Sequence, residues 1–401
     1  MGTPASYLPP ELSAQSIVNL AESLGLPAPT RVEPLRVAAE YHSIYLLHYE
    51  RELSSTITAR ANPDGSVTLV LRVSGRHLPR VKTLNEVGVM AWVSQNTTIP
   101  VPSVVRFSES EDNCIGHEFT LLERASGTSL DKIYDSLSQE QKKDIVEQLV
   151  TFLVELHSKP WATERVGGLE LRDGLVSPGP ALEETFWQAP DIEKYWPGET
   201  IESLNPLRDD FDSYVSYAVA SLECYIHAFE SHHSLDRFRT MLPKIRRFVS
   251  VIQSEKYKFK LNDVKYILAH KDLHFANIMC DPTSSGSKVT AILDWEFSGI
   301  VPAPRWNPSR AFLWNGKRDA EAKEEQARME ALFETLCHEK GATQLLEEAK
   351  PNTLQEEMQT AVNHIRAIVE VCPRNQAQDR VETWRDVAET AMDTFVCSKQ
   401  T

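Results

Sequence analysis

The stretch HKDLHFANIM, residues 270–279, constrains what this chain can fold into more than any other. It places two histidines, an aspartate and an asparagine between the apolar pairs Ile267-Leu268 and Ile278-Met279. Apolar pairs of this kind are usually buried, and buried polar groups must be hydrogen-bonded or used. The sequence therefore predicts a polar loop held between two short buried strands.

A second polar segment follows a few residues later, and it too comes directly after an apolar pair. In TAILDWEFSG, residues 290–299, the apolar pair Ile292-Leu293 leads directly to Asp294, and the turn-rich link DPTSSGSKV joins the two stretches. We expect a hairpin that brings the side chains of Asp272, Asn277 and Asp294 to one cleft.

This set of oxygen-bearing side chains suits one chemistry. Phosphoryl transfer from a nucleotide needs a carboxylate that orients the acceptor hydroxyl and takes its proton, and hard oxygen ligands that hold Mg²⁺ against the phosphates. The short spacing between Asp272 and Asn277 lets one loop supply both groups. The sequence therefore predicts Asp272 as the catalytic base, and Asn277 and Asp294 as Mg²⁺ ligands.

The two stretches resemble the catalytic and metal-binding motifs of the aminoglycoside phosphotransferase and choline kinase-like family. These are small-molecule kinases with a protein-kinase-like fold, in which the loop reads roughly H-G-D-L-H-x-x-N and the metal motif I-D-W/F-E. The resemblance implies the same roles for Asp272, Asn277 and Asp294. Lys271 stands in place of the usual glycine, and Phe275-Ala276 in place of Pro-Gly, but neither change removes a reactive group. A phosphate contact is an alternative role for the Lys271 side chain.

The resemblance extends to the N-terminal part of the chain. TLVLRV, residues 68–73, is similar to the third strand of a kinase and puts Arg72 where many kinases carry a phosphate-binding lysine. NEVGVMAWV, residues 85–93, is similar to the helix whose glutamate, here Glu86, pairs with that base. An arginine can hold phosphate oxygens through its planar fork, so the exchange does not by itself destroy nucleotide binding.

The hinge and the phosphate loop complete the resemblance. FTLLERASGTSL, residues 119–130, resembles the hinge, where the backbone of Leu122, Glu123 and Arg124 would meet the adenine of ATP, or alternatively the base of GTP. The loop over the phosphates would be AAEYHS, residues 38–43, which contains no glycine. A glycine-free loop cannot bring its backbone as close to phosphate.

Simpler interpretations exist for three of these side chains. Arg72 alternates with apolar neighbours, which is typical of a solvent-facing position, and Lys82 is its rival as the phosphate ligand. Thr83 and Glu86 have the spacing of a helix capping box, which alone would explain the glutamate. Glu296 is interpreted as a hydrogen-bonding support of the metal loop.

The order of elements predicts an α+β, two-lobed fold. Strand-like segments at 31–37, 42–50, 66–73, 99–107 and 117–124 enclose one helix at 83–95, and amphipathic helices dominate after residue 125. The segment 162–206 has no regular pattern. We expect a nucleotide-binding lobe over residues 1–124 and a catalytic and acceptor-binding lobe over 125–401, with a helical insert at about 170–260.

Composition limits the partners and the compartment. The net charge is −15, from 42 basic and 57 acidic residues, which disfavours nucleic acid as a partner. No apolar run is long enough to span a membrane. The six cysteines form no CxxC pair and indicate a reducing cytoplasm. The oligomeric state is left open.

The acceptor is expected to be a small molecule of unidentified structure. Residues 181–236 contain twelve acidic and two basic residues, so a negative cleft for a cationic acceptor, such as an amine or aminoglycoside, is one interpretation. A solvated acidic surface is the interpretation that we favour.

The sequence as a whole predicts a Mg²⁺-dependent enzyme that moves the γ-phosphate of ATP to a hydroxyl of a small molecule. Two alternatives remain open. One is a nucleotide-binding pseudokinase without turnover. The other is an enzyme that uses ATP to phosphorylate a substrate transiently before elimination or condensation.

Overall fold

The computed structural model describes residues 7–36, 41–54, 56–158, 165–183, 186–207, 211–283, 286–306, 317 and 319–397. The strands of its N-terminal lobe are β1 (Arg31–Leu35), β2 (His42–Tyr49), β3 (Val67–Ser74), β4 (Val104–Ser108) and β5 (Phe119–Glu123). They form a five-stranded antiparallel sheet in the order β1-β2-β3-β5-β4. The predicted strand at 99–107 starts only at Val104, because Pro100 and Pro102 have no N–H for a sheet ladder.

One face of the sheet packs on the first helix, α1 (Ala14–Ser23). Leu69 and Leu71 of β3 are fully buried there together with Ile17 of α1. Because side chains alternate along a strand, Arg72 emerges on the opposite face. The short helix α2 (Arg51–Ser54) lies in the connection between β2 and β3, which pair as the expected hairpin.

Helix α3 (Val81–Asn96) covers that opposite face and begins two residues before its predicted start. Glu118 provides its cap, because the backbone N–H of Arg80 donates to Oε1 at 2.6 Å and the Thr83 hydroxyl donates to Oε2 at 2.7 Å. Thr83 therefore lies inside the first turn, and the capping-box explanation of Glu86 is wrong.

The C-terminal lobe is mainly helical. Its helices are α4 (Leu130–Ile133), α5 (Gln139–Ser158), α6 (Ala189–Tyr195), α7 (Ile201–Leu204), α8 (Tyr214–Ser231), α9 (Leu242–Ile252), α10 (Glu255–Leu261), α11 (Ala320–Glu339), α12 (Gln344–Glu348), α13 (Thr353–Val371) and α14 (Val381–Cys397). Its strands are β6 (Thr128–Ser129), β7 (Gly168–Arg172), β8 (Leu175–Gly179), β9 (Tyr266–Ala269), β10 (Ile278–Thr283), β11 (Gly286–Ile292) and β12 (Gly299–Pro302). The expected two-lobed α+β architecture is confirmed.

The prediction that the segment 162–206 has no regular structure is wrong for part of it. Strands β7 and β8 form an antiparallel hairpin around Asp173 and Gly174, whose φ angles are +51° and +76°. An Asp-Gly pair favours this kind of two-residue turn, so the signal was present in the sequence.

Two apolar cores support the large lobe. The first joins α5, α11 and the strands β9 to β12, and it also takes in Val89, Met90 and Val93 of α3. The second lies among α8, α9, α13 and α14. Helix α3 therefore packs against both lobes. Over the described part of the chain, no helix is both long and apolar enough to cross a membrane.

The surroundings of Gly88 show how closely α3 lies against the large lobe. A Cβ built on Gly88 would lie 2.6 Å from the carbonyl oxygen of Leu169 and 2.7 Å from Cα of Glu170 in β7. We expect Gly88→Ala to lower the free energy of unfolding by about 1–3 kcal/mol through overpacking, measured by urea denaturation. Helix propensity alone would raise it by about 1 kcal/mol.

Ala91→Gly is the matched control on the same helix. It should cost about 1 kcal/mol through propensity alone. A Gly88→Ala protein more stable than the wild type would show that α3 and β7 are not in close contact.

Candidate active site

The polar loop lies where the sequence predicts it. Strand β9 leads into the loop, a 3-10 helix (Phe275–Asn277) ends it, and β10 follows. The Nδ2 group of Asn277 donates to the backbone oxygen of Asp272 at 2.9 Å and lies 3.2 Å from its Oδ2. This leaves Oδ1 of Asn277 as the oxygen that can face a metal.

His270 fixes the shape of the loop from beneath. Its ring is almost fully buried, its Nε2 donates to the backbone oxygen of Leu293 at 2.7 Å, and its Nδ1 accepts from the N–H of Asp272 at 3.3 Å. Burial lowers the pKa of His270, so the ring is neutral and this tautomer is consistent with both bonds. His270 thus aligns Asp272 and connects it to the segment that carries Asp294.

The backbone conformation of Lys271 explains why a glycine is usual at this position of the motif. Its φ is +67°, in the left-handed region that glycine occupies without strain. The Lys271 Nζ donates to the backbone oxygen of Leu182 at 2.6 Å, which offsets part of that cost. The side chain is therefore directed to the large-lobe segment around Leu182.

Asp294 lies beside the loop, as expected from the hairpin. The N–H of Leu293 donates to the backbone oxygen of Asn277 at 2.8 Å, which places the two candidate metal ligands on adjacent stretches of chain. Asp294 also has a positive φ of +65°, which aspartate tolerates better than most residues. Strands β10 and β11 pair between them in the expected hairpin.

Arg72 joins the two lobes at this point. Its guanidinium forms an ion pair with Glu86 of α3 and donates to Oδ1 of Asp294 at 2.7 Å. Thr120 donates to the other oxygen of Glu86 at 3.2 Å. The arginine side chain is only 11% exposed, so the solvent-facing interpretation is wrong and the expected pair with Glu86 is confirmed.

Lys82, the rival phosphate ligand, is occupied elsewhere. Its Nζ donates to Oε2 of Glu296 at 2.7 Å and lies 3.0 Å from Nε2 of His42, and both ends of the ion pair are 2% exposed. Burial raises the pKa of Glu296. Burial, together with the charges of Lys82 and Arg72, lowers the pKa of His42, so its ring is neutral.

The segment after Asp294 is also bonded to α3 through its backbone. The side-chain amide of Asn85 donates to the carbonyl oxygens of Glu296 at 2.9 Å and Ser298 at 2.8 Å. Its Oδ1 accepts from the N–H of Leu169 at 2.8 Å. The expected supporting role of Glu296 therefore belongs to a larger group of buried contacts than the sequence analysis proposed.

The hinge residues lie at the end of β5. Leu122 is paired with Val70 of β3. The N–H of Glu123 donates to the oxygen of Ser103 at 2.9 Å, and that of Arg124 to the oxygen of Thr68 at 3.3 Å. These two donors are used within the protein, so a base at the hinge would need other backbone atoms. Residues 38–40 of the glycine-free loop lie outside the described residues.

The donor set fits Mg²⁺ bound together with a nucleotide. Asn277 and Asp294 offer hard oxygen ligands, and Mg²⁺ in such sites is completed by phosphates and water. Where the structure describes the chain, no three His, Cys, Asp or Glu side chains are grouped to hold a metal by themselves. The pair is thus suited to a metal that arrives with phosphate oxygens.

On the other side of Lys271, one carboxylate is surrounded by cations. Burial would raise the pKa of Glu183, but Arg305, Arg366 and Lys271 outweigh it and lower the pKa to about 2. The Tyr217 hydroxyl also donates to this carboxylate. Glu184, Asp209 and Asp210 of the acidic segment lie outside the described residues.

The sequence did not predict the contacts of Asn85 or of the His42 ring. The Asn85 amide donates to residues more than 200 positions away, and His42 meets Lys82 40 positions away, so no local spacing reveals these contacts. A weak signal exists for Lys82 and Asn85, because both are polar and lie within one turn of Glu86.

A small sheet lobe, a helical lobe, and Asp272, Asn277 and Asp294 at their junction define the class of kinase-like phosphotransferases. The model of the phosphotransferase enzyme family matches residues 53–303, which is more than half of the chain. This protein belongs to that family, and the expectation of a phosphotransferase is confirmed at that level.

Individual relatives are more distant. A subtelomeric hrmA-associated cluster protein of Aspergillus fumigatus is 36% identical over 67 residues, which is 17% of this chain and 13% of that protein. Among solved structures, the streptomycin-ATP-APH(2")-IIa ternary complex aligns at 12% identity over 96% of this chain and 99% of that chain, with a TM-score of 0.49. The GDP complex of aminoglycoside 2'-phosphotransferase-IIIa aligns at 11% identity over 96% and 99%, with a TM-score of 0.46.

The Arg72–Glu86 ion pair gives a prediction for stability. Glu86→Ala leaves a buried guanidinium with one partner fewer, and breaking a buried pair costs about 3–5 kcal/mol. We expect a loss near the lower end of that range, because Arg72 keeps Asp294. Urea denaturation measures it.

Glu33→Ala is the control on the same sheet. Glu33 pairs with Arg31 at 2.7 Å, but the two side chains are 45% and 62% exposed, so the loss should stay below about 1 kcal/mol. Equal losses for the two variants would contradict a special role of the Arg72 pair.

Proposed function

We propose that this protein transfers the γ-phosphate of ATP, or alternatively GTP, to a hydroxyl of a small molecule in the presence of Mg²⁺. The observation that carries the proposal is the contact of Asp272 with Asn277, with Asp294 alongside on the neighbouring stretch. We also propose that residues 1–124 act as the nucleotide-binding lobe and residues 125–401 as the catalytic and acceptor-binding lobe.

Asp272 is proposed as the general base. Its side chain is 30% exposed, so an acceptor hydroxyl can reach it. The carboxylate orients that hydroxyl and takes its proton as the oxygen attacks the γ-phosphorus. Asn277 donates to Asp272, which holds the carboxylate at the loop surface.

Asn277 and Asp294 are proposed as the Mg²⁺ ligands, and the ion would supply positive charge to the phosphate oxygens. Arg72 donates to Oδ1 of Asp294, which leaves Oδ2 for the metal. Arg72, steadied by Glu86, is proposed to donate its remaining N–H groups to phosphate oxygens. Leu122, Glu123 and Arg124 remain the proposed hinge for the base.

The acceptor is proposed to be a small molecule that enters beside Lys271. Glu183 is the member of the acidic segment tied most closely to this region, since Lys271 affects its pKa. Cations already surround that carboxylate, so the geometry does not favour a cationic acceptor over a neutral one. The six cysteines are all free thiols, which is compatible with the proposed cytoplasmic location.

Mg²⁺-dependent ATP binding and ATP turnover test this function. We expect Asp272→Asn to keep nucleotide binding and to lower turnover by about 10²–10⁴-fold, because the variant lacks the base. Asp294→Asn should remove the Mg²⁺ dependence of binding. Titration calorimetry measures binding, and release of ADP in the presence of an acceptor panel measures turnover.

Asp281→Asn is the control, because Asp281 is an exposed carboxylate on β10 close to the loop in sequence. It should behave as the wild type. A wild-type protein that binds no nucleotide with Mg²⁺ would refute the proposal. Binding without turnover against any acceptor would favour a pseudokinase, and product analysis that finds only free phosphate would favour transient phosphorylation.

A further inference from the structure

The lysine of α3 that the phosphotransferase reaction leaves unused lies at the centre of a buried group. Lys82 is 1% exposed, and its Nζ contacts Oε2 of Glu296 at 2.7 Å and Nε2 of His42 at 3.0 Å. Lys82 and these two partners come from three separate parts of the chain: helix α3, the segment that follows Asp294, and strand β2. A lysine is rarely buried unless its charge is paired.

The two residues that contact Lys82 belong to the two segments on which the proposed nucleotide site depends, the segment of Asp294 and the glycine-free loop. Glu296 is two residues from Asp294, so its carboxylate fixes the end of the candidate metal segment. His42 is the first residue of β2 and belongs to the end of the glycine-free loop. Its neighbour Tyr41 places its ring centroid 5.8 Å from the same Nζ, and the Tyr41 carbonyl accepts from the N–H of Gly75 at 2.8 Å.

His42 extends the group as far as Arg72. Because the His42 ring is neutral, Nε2 can accept from the Nζ of Lys82, 3.0 Å away, when the ring proton is on Nδ1. Oε2 of Glu296 also lies 3.3 Å from Nε2, and a guanidinium nitrogen of Arg72 lies 3.3 Å from Nδ1. The ring at the loop end is therefore packed between Lys82, Glu296 and the guanidinium that contacts Asp294.

Stability alone is a poor explanation for this arrangement. Burying a charge pair costs desolvation, and apolar residues of similar size often stabilise a protein equally well or better. A buried pair does, however, define one geometry, because its hydrogen bonds form in only one arrangement. The segment held here carries Asp294, whose left-handed backbone is itself unfavourable and needs support from its surroundings.

We propose that Lys82 is a positioning residue that holds the Asp294 segment through Glu296 and the Tyr41–His42 loop end through His42. The expected effect of Lys82 on nucleotide binding rests on the proposed function. Its role in holding these two segments does not depend on that function.

Three variants test the proposal. Lys82→Met removes the ammonium group and keeps most of the side-chain volume. Lys82→Met/Glu296→Gln also removes the unpaired charge, which separates loss of position from loss of stability. Lys142→Met is the control, since Lys142 also pairs with a glutamate, Glu325, at 2.8 Å in the large lobe, where the two side chains are 10% and 13% exposed.

The first measurement is Mg²⁺-dependent ATP binding at a temperature where all variants remain folded. Mutation of a residue that orients a metal ligand typically lowers metal affinity or activity by about 10–100-fold. Both Lys82 variants should therefore bind Mg²⁺·ATP about 10–100-fold more weakly. Lys142→Met should bind as the wild type does. Lys82 variants that bind within the range of the Lys142→Met protein would overturn the proposal.

The second measurement is amide hydrogen exchange without nucleotide, which does not depend on the proposed function. The Lys82 variants should exchange faster at residues 294–298 and 41–43 than elsewhere, because those segments lose their support. A uniform rise over the whole chain, or none, would refute the holding role. A wild type without nucleotide binding would refute the proposed function, and the exchange data would still decide whether Lys82 holds these segments.

Discussion

The ion pairs of Arg72 are the contacts on which the rest of the site depends. One guanidinium meets Glu86 of α3 and Asp294 of the large lobe, and it does so from the middle of the small-lobe sheet. Three chain segments that are remote in sequence therefore have their relative positions set by one planar group. Its charge cannot be lost near neutral pH, because an arginine side chain does not release its proton in proteins.

The two lobes contribute different side chains around this contact. The small sheet presents Arg72 and His42 from adjacent strands, while the large lobe presents Asp272, Asn277 and Asp294 from one hairpin and its flanking loops. The large-lobe set is held in place within its own lobe, because His270 and Asn277 bond their loop internally. Helix α3 connects the two sets, and polar side chains on its first turns contact both.

The half of the candidate site that carries Asp272 was predictable from sequence because its residues are close together in the chain. Asp272, Asn277 and Asp294 lie within one hairpin, so spacing and apolar flanks suffice to bring them together. Glu86 and Arg72 were predictable only through the resemblance to kinases. The contacts of Lys82 and His42 were not, because side chains that meet across 40 or 214 residues leave no periodic signal. The β7–β8 hairpin was overlooked although its Asp-Gly turn was visible.

The close approach of α3 to β7 has a consequence for motion between the lobes. At Gly88 the helix backbone meets the strand without a side chain between them, and Asn85 bonds the start of the same strand. Helix α3 is thus fixed to the large lobe through backbone contact, whereas Arg72 of the sheet reaches it through a side-chain ion pair with Glu86. We therefore expect any displacement of the two lobes to occur between the sheet and α3 and not between α3 and β7.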